Sequence, residues 1–279
     1  MVFDGKKLAQ EILDDLKAEM SSWKKKPFLA VVSLGSKSDN SSYILQKKKT
    51  AEFLGLGFEN YHYEDISSPK KITAYLNKIA KMDKVSAMVM QMPLPQNINS
   101  SVVNIIPVKK DPDLLSDKAV GLFFNRRSII DPPTPAGILK ILESESIDIK
   151  NKKVALFGYG RLVGRFLVSM LVSERAIVSV IEKNAPRPII LELSQGADII
   201  ISAVGQPNLI NTEMVKEGGV IIDAGFSLVD GKIIGDVNFE AVKNKASLIT
   251  PVPGGTGPVG VAMLFYNVVK LYKYYNKNE

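Results

Sequence analysis

Short apolar runs alternate with helix-forming segments along nearly the whole chain, and this alternation constrains the fold more than any other feature. Phe28–Leu34 is a continuous apolar run that closes at Gly35, and strand-like runs return at Gly57–Tyr63 and Ala87–Met90. A continuous apolar run is typical of a strand that helices cover on both faces of a parallel sheet. The pattern therefore predicts an α/β fold for the first half of the chain.

Helices are expected on either side of these strands. Leu8, Ile12 and Leu16 recur at helical spacing, so we expect an amphipathic helix from Gly5 to about Lys26, where Pro27 would end it. Two more helices are expected at 41–54 and 68–80. Each strand would then lead into a helix that returns the chain to the start of the next parallel strand.

The same pattern restarts at Lys152, with a strand at 154–157, a glycine loop, a helix to Val172 and a strand at 176–181. Further strands are expected at 198–203, 220–223 and 248–249, and a last helix at 261–274. The prolines at 132, 133 and 135 predict an irregular crossing between two cores. We predict an N-terminal substrate domain (1–116 with 261–279) and a Rossmann-type dinucleotide-binding domain (117–260), each α/β.

Composition limits the class of protein. The 279 residues include no cysteine, which excludes a disulfide framework and a thiolate nucleophile and favours a cytoplasmic address. The 36 Lys and Arg exceed the 29 Asp and Glu, but the basic residues are scattered, which favours an anionic small molecule over nucleic acid as partner. No apolar stretch is long enough for an export signal or a membrane span. His62 is the only histidine, so we expect it to be structural and expect no metal site.

A glycine loop lies where the strand at 154–157 becomes a helix. Such a loop brings backbone N–H groups and a helix N-terminus against a pyrophosphate, although a tight turn without a ligand has the same sequence. The expected contacts are Gly158, Tyr159, Gly160, Arg161, Val163 and Gly164. Glu182 ends the next strand and favours NAD by binding ribose hydroxyls, whereas the nearby Lys183, Arg161 and Arg187 favour the 2′-phosphate of NADP. The choice between NAD and NADP stays open.

Tyr43 and Lys47 stand four residues apart on a predicted helix and so share one face. A lysine held near an aromatic hydroxyl in a desolvated pocket has its pKa lowered towards neutrality and becomes fit for proton transfer, although most helical lysines are solvated. Gln91 follows a buried strand and could orient that lysine. Asp111 and Asp113 flank Pro112, where they could form a simple turn or anchor a ring edge by paired hydrogen bonds.

A second glycine-rich and proline-rich loop, Thr250–Pro258, precedes the last helix. Glycine lets backbone approach a ligand closely, so we expect Pro253, Gly254 and Gly255 to contribute to substrate binding.

In this order, the motifs resemble the bifunctional methylenetetrahydrofolate dehydrogenase/methenyltetrahydrofolate cyclohydrolase family. The short-chain dehydrogenases also pair Tyr-x-x-x-Lys with a glycine loop, but there the glycine loop comes first. The matching segments begin with the Tyr43–Lys47 helix and continue with 91–95, 110–113, 132–137, 158–164, 222–225, 235–237 and 250–258. The resemblance covers nearly the whole chain.

The resemblance implies that Lys47 is the central catalytic residue, that Gln91 tunes it, that Tyr43 packs against the folate, and that Asp113 holds the pterin. It implies oxidation of 5,10-methylenetetrahydrofolate by NAD(P)+ and hydrolysis of the methenyl product to 10-formyltetrahydrofolate, in a homodimer formed through the cofactor domain. It adds Pro93 and Leu94 to the substrate site. It adds to the cofactor site Thr134, Ala203, Val204, Gly205, Asp223 and Gly225.

One departure from the family pattern concerns the turn that carries Asp113. Leu114 stands where the family usually has glycine, which predicts a different path for this turn. Two alternatives to the bifunctional enzyme remain: a dehydrogenase without cyclohydrolase activity, and a catalytically silent folate or dinucleotide sensor.

Overall fold

The computed structural model describes residues 1–35 and 42–276. The expected start of the second helix, Ser41, lies outside them. The elements of the first half are α1 (Gly5–Glu19), β1 (Phe28–Leu34), α2 (Ser42–Leu54), β2 (Gly57–Tyr63), α3 (Pro69–Ala80), β3 (Ala87–Met90), α4 (Asp117–Phe124) and α5 (Pro133–Ser144). Those of the second half are β4 (Lys153–Phe157), α6 (Gly164–Ser173), β5 (Ile177–Ile181), α7 (Arg187–Gln195), β6 (Ile199–Ser202), β7 (Val220–Asp223), β8 (Ser227–Val229), β9 (Lys232–Ile234), α8 (Phe239–Val242), β10 (Leu248–Ile249) and α9 (Thr256–Tyr275).

The chain divides into two compact units. One contains residues 1–10 and 134–260, and the other contains residues 11–133 and 261–279. We call them the C-terminal-sheet unit and the N-terminal-sheet unit. The predicted boundary at 116/117 differs from this change at 133/134, because α4 groups with the N-terminal-sheet unit. The assignment of a binding role to each domain stays a prediction.

The N-terminal-sheet unit is built on a parallel sheet of order β2-β1-β3. Its core places Ala30 and Val32 of β1 and Met88 of β3 against Leu76 and Ile79 of α3. Since β1 has a neighbour on each side, the loops that follow β1 and β3 leave the same edge of the sheet next to each other. Such a switch point is where open α/β sheets bind ligands.

The C-terminal-sheet unit is built on a parallel sheet of order β10-β7-β6-β4-β5. Ala155, Ile200 and Ile221 lie on neighbouring strands in one core cluster. The switch point falls between β4 and β6, so the glycine loop after β4 and the segment after β6 leave the sheet together. The two-domain α/β fold with parallel sheets is confirmed.

The sequence reasoning misplaced three helix ends. The first helix ends at Glu19 rather than near Lys26, because the chain turns at Met20–Trp23. The last helix begins at Thr256 rather than Val261, and the proline cluster expected to be irregular begins α5 at Pro133. The last two errors have one cause: proline fits the first turn of a helix, where its missing N–H would have no intrahelical partner.

Candidate active site and cofactor-binding loops

Lys47 is a buried lysine of the N-terminal-sheet unit. Its residue is only 9% exposed, and its Nζ donates a hydrogen bond of 2.9 Å to Oε1 of Gln91. Helix α2 follows β1 and Gln91 follows β3, so the switch point explains why residues 44 positions apart in sequence meet. The predicted contact between Lys47 and Gln91 is present.

Gln91 is held in place by its own hydrogen bonds. Its backbone N–H donates to the Val32 carbonyl at 2.7 Å, and its side-chain Nε2 donates to the Met92 carbonyl at 3.0 Å. Because the amide NH₂ is engaged there, the carbonyl oxygen of the same amide faces Lys47. Pro93 follows a cis peptide and is exposed, and Leu94 is half-buried.

Burial controls the ionisation of this cluster. Desolvation lowers the pKa of Lys47, and the nearby Asp113 carboxylate opposes part of that change. Desolvation also raises the pKa of Asp113 to about 6, against the attraction of Lys47. The pKa of Tyr43 is raised by burial, so its hydroxyl keeps its proton at neutral pH. A lysine with a lowered pKa can hold or release a proton near neutral pH.

The two aspartates around Pro112 have different surroundings. Asp111 is fully buried, and its carboxylate accepts hydrogen bonds from the Leu115 N–H (3.0 Å), the Ser116 N–H (2.8 Å) and the Ser116 hydroxyl (2.7 Å). These contacts give Asp111 a structural role in the turn, and the substrate contact that we predicted for it stays a prediction. The Asp113 carboxylate is half-buried and has no hydrogen bond to any residue that the structure describes.

Leu114 has a backbone conformation that glycine usually adopts. Its φ is 51°, in the left-handed region that favours glycine, and its side chain is buried with 2% exposure. The different path expected from this substitution stays a prediction. A left-handed conformation costs an L-residue about 1–2 kcal/mol, which burial of the leucine side chain offsets.

In the C-terminal-sheet unit, the glycine loop is packed too tightly for side chains at two of its positions. Gly158 has φ of 94°, and a Cβ at Gly164 would lie 2.2 Å from the Gly158 carbonyl oxygen. A Cβ at Gly160, by contrast, would meet no atom within 4 Å. The loop leads into the N-terminus of α6, and the Tyr159 N–H donates to Oε1 of Glu182 at 2.9 Å. Glu182 therefore contacts the loop itself.

The predicted cofactor residues differ in accessibility. Exposed positions are Tyr159, Gly160, Glu182, Lys183 and Gly205. Half-buried positions are Thr134, Arg161, Val163, Ala203 and Val204. Buried positions are Gly158, Gly164, Asp223 and Gly225. The last two lie in a network that the sequence analysis did not identify.

Two buried carboxylates bind backbone N–H groups of the segments that follow β6, β7 and β9. Asp236 accepts hydrogen bonds from the Ser202 hydroxyl and from the backbone N–H groups of Val204, Gly205 and Gln206, at 2.7–3.2 Å. Asp223 accepts from the N–H groups of residues 225, 236 and 237. Asp223 therefore has a structural role, and the cofactor contact that we predicted for it stays a prediction.

Glycine spacing around these carboxylates was a signal that sequence reasoning missed. A Cβ at Gly225 would lie 2.0 Å from the Asp236 carboxyl carbon, and a Cβ at Gly235 would lie 2.1 Å from an Asp223 oxygen. Packing against Asp236 thus requires glycine at position 225, and the predicted cofactor contact of Gly225 stays a prediction. An aspartate paired with a glycine in each of two short motifs could have indicated reciprocal packing.

The loop before α9 is also shaped by packing. A Cβ at Gly5 would lie 1.9 Å from the Gly255 carbonyl oxygen, so the start of α1 lies directly against this loop. Gly254 has φ of 111°, and Pro253 is exposed. Packing accounts for Gly255, and substrate binding by these three residues stays a prediction.

His62 lies on β2, with its Nδ1 3.0 Å from the Ser33 hydroxyl. In the described ranges, no cluster of three or more His, Cys, Asp or Glu side chains could hold a metal ion. Within the same residues, no helix is both long and apolar enough to cross a membrane.

Comparison with known proteins decides the family. Residues 3–113 match the catalytic domain, and residues 132–276 the NAD(P)-binding domain, of tetrahydrofolate dehydrogenase/cyclohydrolase. The bifunctional protein FolD of Fusobacterium nucleatum is 37% identical, with 98% of each chain covered, and that of Aquifex aeolicus is 37% identical, with 98% and 95% covered. The chain belongs to the tetrahydrofolate dehydrogenase/cyclohydrolase family.

Solved structures agree with this assignment. The bifunctional FolD of Campylobacter jejuni is 34% identical with a TM-score of 0.91, and covers 99% of each chain. The Trypanosoma brucei enzyme, crystallised with NADP and an inhibitor, is 29% identical with a TM-score of 0.92, covering 99% of this chain and 98% of that one. This chain is therefore a bifunctional enzyme, an oxidoreductase and a hydrolase acting on tetrahydrofolate substrates, with an NAD(P)-binding domain.

The residues of the C-terminal-sheet unit of this tetrahydrofolate dehydrogenase/cyclohydrolase fit a dinucleotide. Gly158 and Gly164 approach each other where a side chain would not fit, and a Cβ at Gly160 would meet no atom within 4 Å, so the backbone at Gly160 is open to a ligand. Backbone N–H groups at a helix N-terminus bind phosphate oxygens.

Proposed function

We propose that Lys47 serves both reactions of this tetrahydrofolate dehydrogenase/cyclohydrolase. The observation that carries the proposal is the burial of the Lys47 ammonium, which has Gln91 as its neutral hydrogen-bond partner and a lowered pKa. Burial of a lysine ammonium destabilises the fold because the charge loses its hydration. A lysine pKa displaced towards neutrality is typical of a catalytic group.

In the dehydrogenase reaction, a hydride leaves the methylene carbon of 5,10-methylenetetrahydrofolate and a cationic methenyl group remains. The nicotinamide supplies the hydride acceptor when NAD(P)+ is bound. An ammonium at Lys47 would repel the developing cation, because like charges repel strongly in a desolvated site. A neutral Lys47 amine avoids this repulsion. The lowered pKa therefore assists this step.

In the cyclohydrolase reaction, water attacks the methenyl carbon and loses a proton, and the ring opens to 10-formyltetrahydrofolate. The neutral Lys47 amine accepts one proton from the attacking water, and the resulting ammonium can return it to the departing ring nitrogen. The second proton of the water leaves the hydroxyl for solvent as the C=O bond of the formyl group forms and the C–N bond of the ring breaks. Gln91 holds Nζ in position, because its backbone N–H is bonded to the Val32 carbonyl and its side-chain NH₂ to the Met92 carbonyl. This is general acid–base catalysis with a single group.

Asp113 and Tyr43 bind the folate in this proposal, with Pro93 and Leu94 bordering it. The Asp113 carboxylate is half-buried and has no hydrogen-bond donor among the described residues, so it is available to the N–H groups of the pterin. Paired hydrogen bonds between a carboxylate and an amidine-like edge fix both position and orientation.

The glycine loop and the segment at 203–205 hold the cofactor in this proposal. Glu182 favours NAD and Lys183 favours NADP, and both side chains are exposed. Steady-state oxidation of 5,10-methylenetetrahydrofolate with NAD+ and then with NADP+ measures the preference. The same assay tests the function, since absence of turnover with either cofactor would contradict it.

Separate assay of methenyl hydrolysis distinguishes the bifunctional enzyme from a dehydrogenase that lacks the second activity. Tight binding of both ligands without turnover would instead favour a sensor.

We also propose a homodimer formed through the edge strand β5. Among the residues that the structure describes, this strand pairs with β4 alone, and it exposes Ile177 (55%) and Val180 (39%). An apolar edge strand in an unpartnered protein is prone to aggregation, which pairing with a second copy prevents. Sedimentation should give a dimer that Val180→Lys dissociates, and a wild-type monomer would contradict this. A cytoplasmic address stays a prediction.

A further inference from the structure

Asn267 is a polar residue in the apolar interior of the N-terminal-sheet unit. It is 1% exposed on α9, and its neighbours on the helix, Phe265, Val268 and Val269, are no more than 1% exposed. A buried amide without hydrogen bonds destabilises a fold, so its position indicates a specific partner.

Both hydrogens of the Asn267 amide are used. Nδ2 donates to the Pro112 carbonyl at 2.8 Å and to the Asp131 carbonyl at 2.7 Å. The Pro112 carbonyl belongs to the peptide that leads directly into Asp113. Asn267 therefore binds the backbone of the turn that carries Asp113, although it is 154 residues from Asp113 in the chain.

The turn is tethered at other points as well. Upstream, Lys110 donates to the Ala80 and Met82 carbonyls at 2.9 and 3.0 Å. Downstream, the Asp111 carboxylate binds Leu115 and Ser116. Leu114 is in a left-handed conformation that leucine rarely adopts. Between these points, the Pro112–Asp113 peptide is held on both sides, because its N–H, which belongs to Asp113, donates to the Asp111 carboxylate and its carbonyl accepts from Asn267.

We propose that Asn267 is a positioning residue for folate binding, which acts by fixing the peptide before Asp113. The inference rests on the proposed role of Asp113. An amide with two fixed acceptors restrains the direction of the Pro112–Asp113 peptide, and thereby the place where the Asp113 carboxylate stands relative to Lys47. Misplacement of a hydrogen-bonding group by a fraction of an ångström weakens ligand binding without removing any ligand contact.

Asn267→Leu in the full-length enzyme removes both donors at similar volume. We expect the KM for the folate substrate to rise about tenfold, which corresponds to a loss of about 1.4 kcal/mol of binding free energy. The KM for NAD(P)+ should stay within about twofold. The pH at which folate affinity is half-maximal should also move, because Asp113 would no longer keep its place beside Lys47. Asn267→Ser, which keeps one donor, should give an intermediate KM and serves if the leucine variant does not fold.

Leu76→Ala is the matched control for loss of stability. Leu76 is fully buried in α3 of the same unit, and its side chain makes no hydrogen bond, so the Leu76→Ala variant destabilises that unit without removing a hydrogen bond of the turn. If Leu76→Ala, measured at the same distance below its melting temperature, raises the folate KM as much as the Asn267 variants do, the positioning role is overturned.

The Asp113→Asn variant distinguishes the positioning role of Asn267 from the folate-binding role of Asp113. A rise in folate KM for Asp113→Asn with none for Asn267→Leu and Asn267→Ser would overturn only the role of Asn267. An unchanged folate KM for Asp113→Asn would overturn the role of Asp113 and the inference with it.

Discussion

The two units differ in how the hydrogen-bonding capacity of their buried polar side chains is filled. In the C-terminal-sheet unit, Asp223 and Asp236 accept hydrogen bonds from the surrounding backbone. In the N-terminal-sheet unit, Lys47 has one neutral partner, Gln91, and the Asp113 carboxylate has no hydrogen bond from the described residues. Carboxylates that accept hydrogen bonds from the backbone stabilise the fold. Buried groups with few hydrogen-bond partners in the protein can bind a ligand instead.

The largest effect that tests this comparison is expected from Lys47→Met. Loss of the amine removes the proton acceptor, so methenyl hydrolysis should fall about 10²–10⁴-fold, the usual contribution of general acid–base catalysis. A coupled assay of 10-formyltetrahydrofolate formation measures it.

Lys48→Met is the control, because Lys48 is exposed and pairs only weakly with Glu52 at 3.9 Å. Equal hydrolysis by the Lys47 variant and the wild type would remove Lys47 from the mechanism.

Asp236→Asn probes the other side of the comparison. The amide cannot accept every bond that the carboxylate accepts, so the free energy of unfolding should fall by about 1.5–3 kcal/mol. Denaturant unfolding measures this loss, with Asp230→Asn as the control for an exposed aspartate. An unchanged free energy of unfolding would mean that the buried network is not a scaffold.

The pH dependence of folate binding sharpens the comparison further. The pKa of Asp113 is raised to about 6, so the carboxylate is protonated below that pH and loses its capacity to accept from the pterin. Folate affinity should therefore fall by up to about tenfold per pH unit below 6. Measurement of 1/KM against pH shows this, and a similar midpoint in Asp113→Asn would assign the titration to another group.

The smallest effect is expected at Leu114. Ala and Gly both remove the buried side chain, but only Gly also relieves the left-handed strain, so Leu114→Gly should be more stable than Leu114→Ala by about 1–2 kcal/mol. Thermal unfolding of the two variants measures the difference. The opposite order would mean that φ at this position is not strained.

Parallel sheets were predictable because buried strands are apolar throughout, as in Phe28–Leu34. The contact between Lys47 and Gln91 was predictable in outline, because both residues follow neighbouring strands. Sequence could not distinguish Asp111 from Asp113, since both flank Pro112 and only the fold decides which carboxylate the turn itself binds. The role of Asn267 was hidden for a related reason: its partners are backbone carbonyls of distant residues.

The central claim is that burial keeps the Lys47 amine ready to lose its proton. A ¹⁵N-detected titration of the Lys47 Nζ, assigned by comparison with Lys47→Met, measures this directly. We expect a midpoint below the ordinary lysine value of 10.5. A midpoint at or above 10.5 would contradict it, because the amine would then remain an ammonium throughout catalysis.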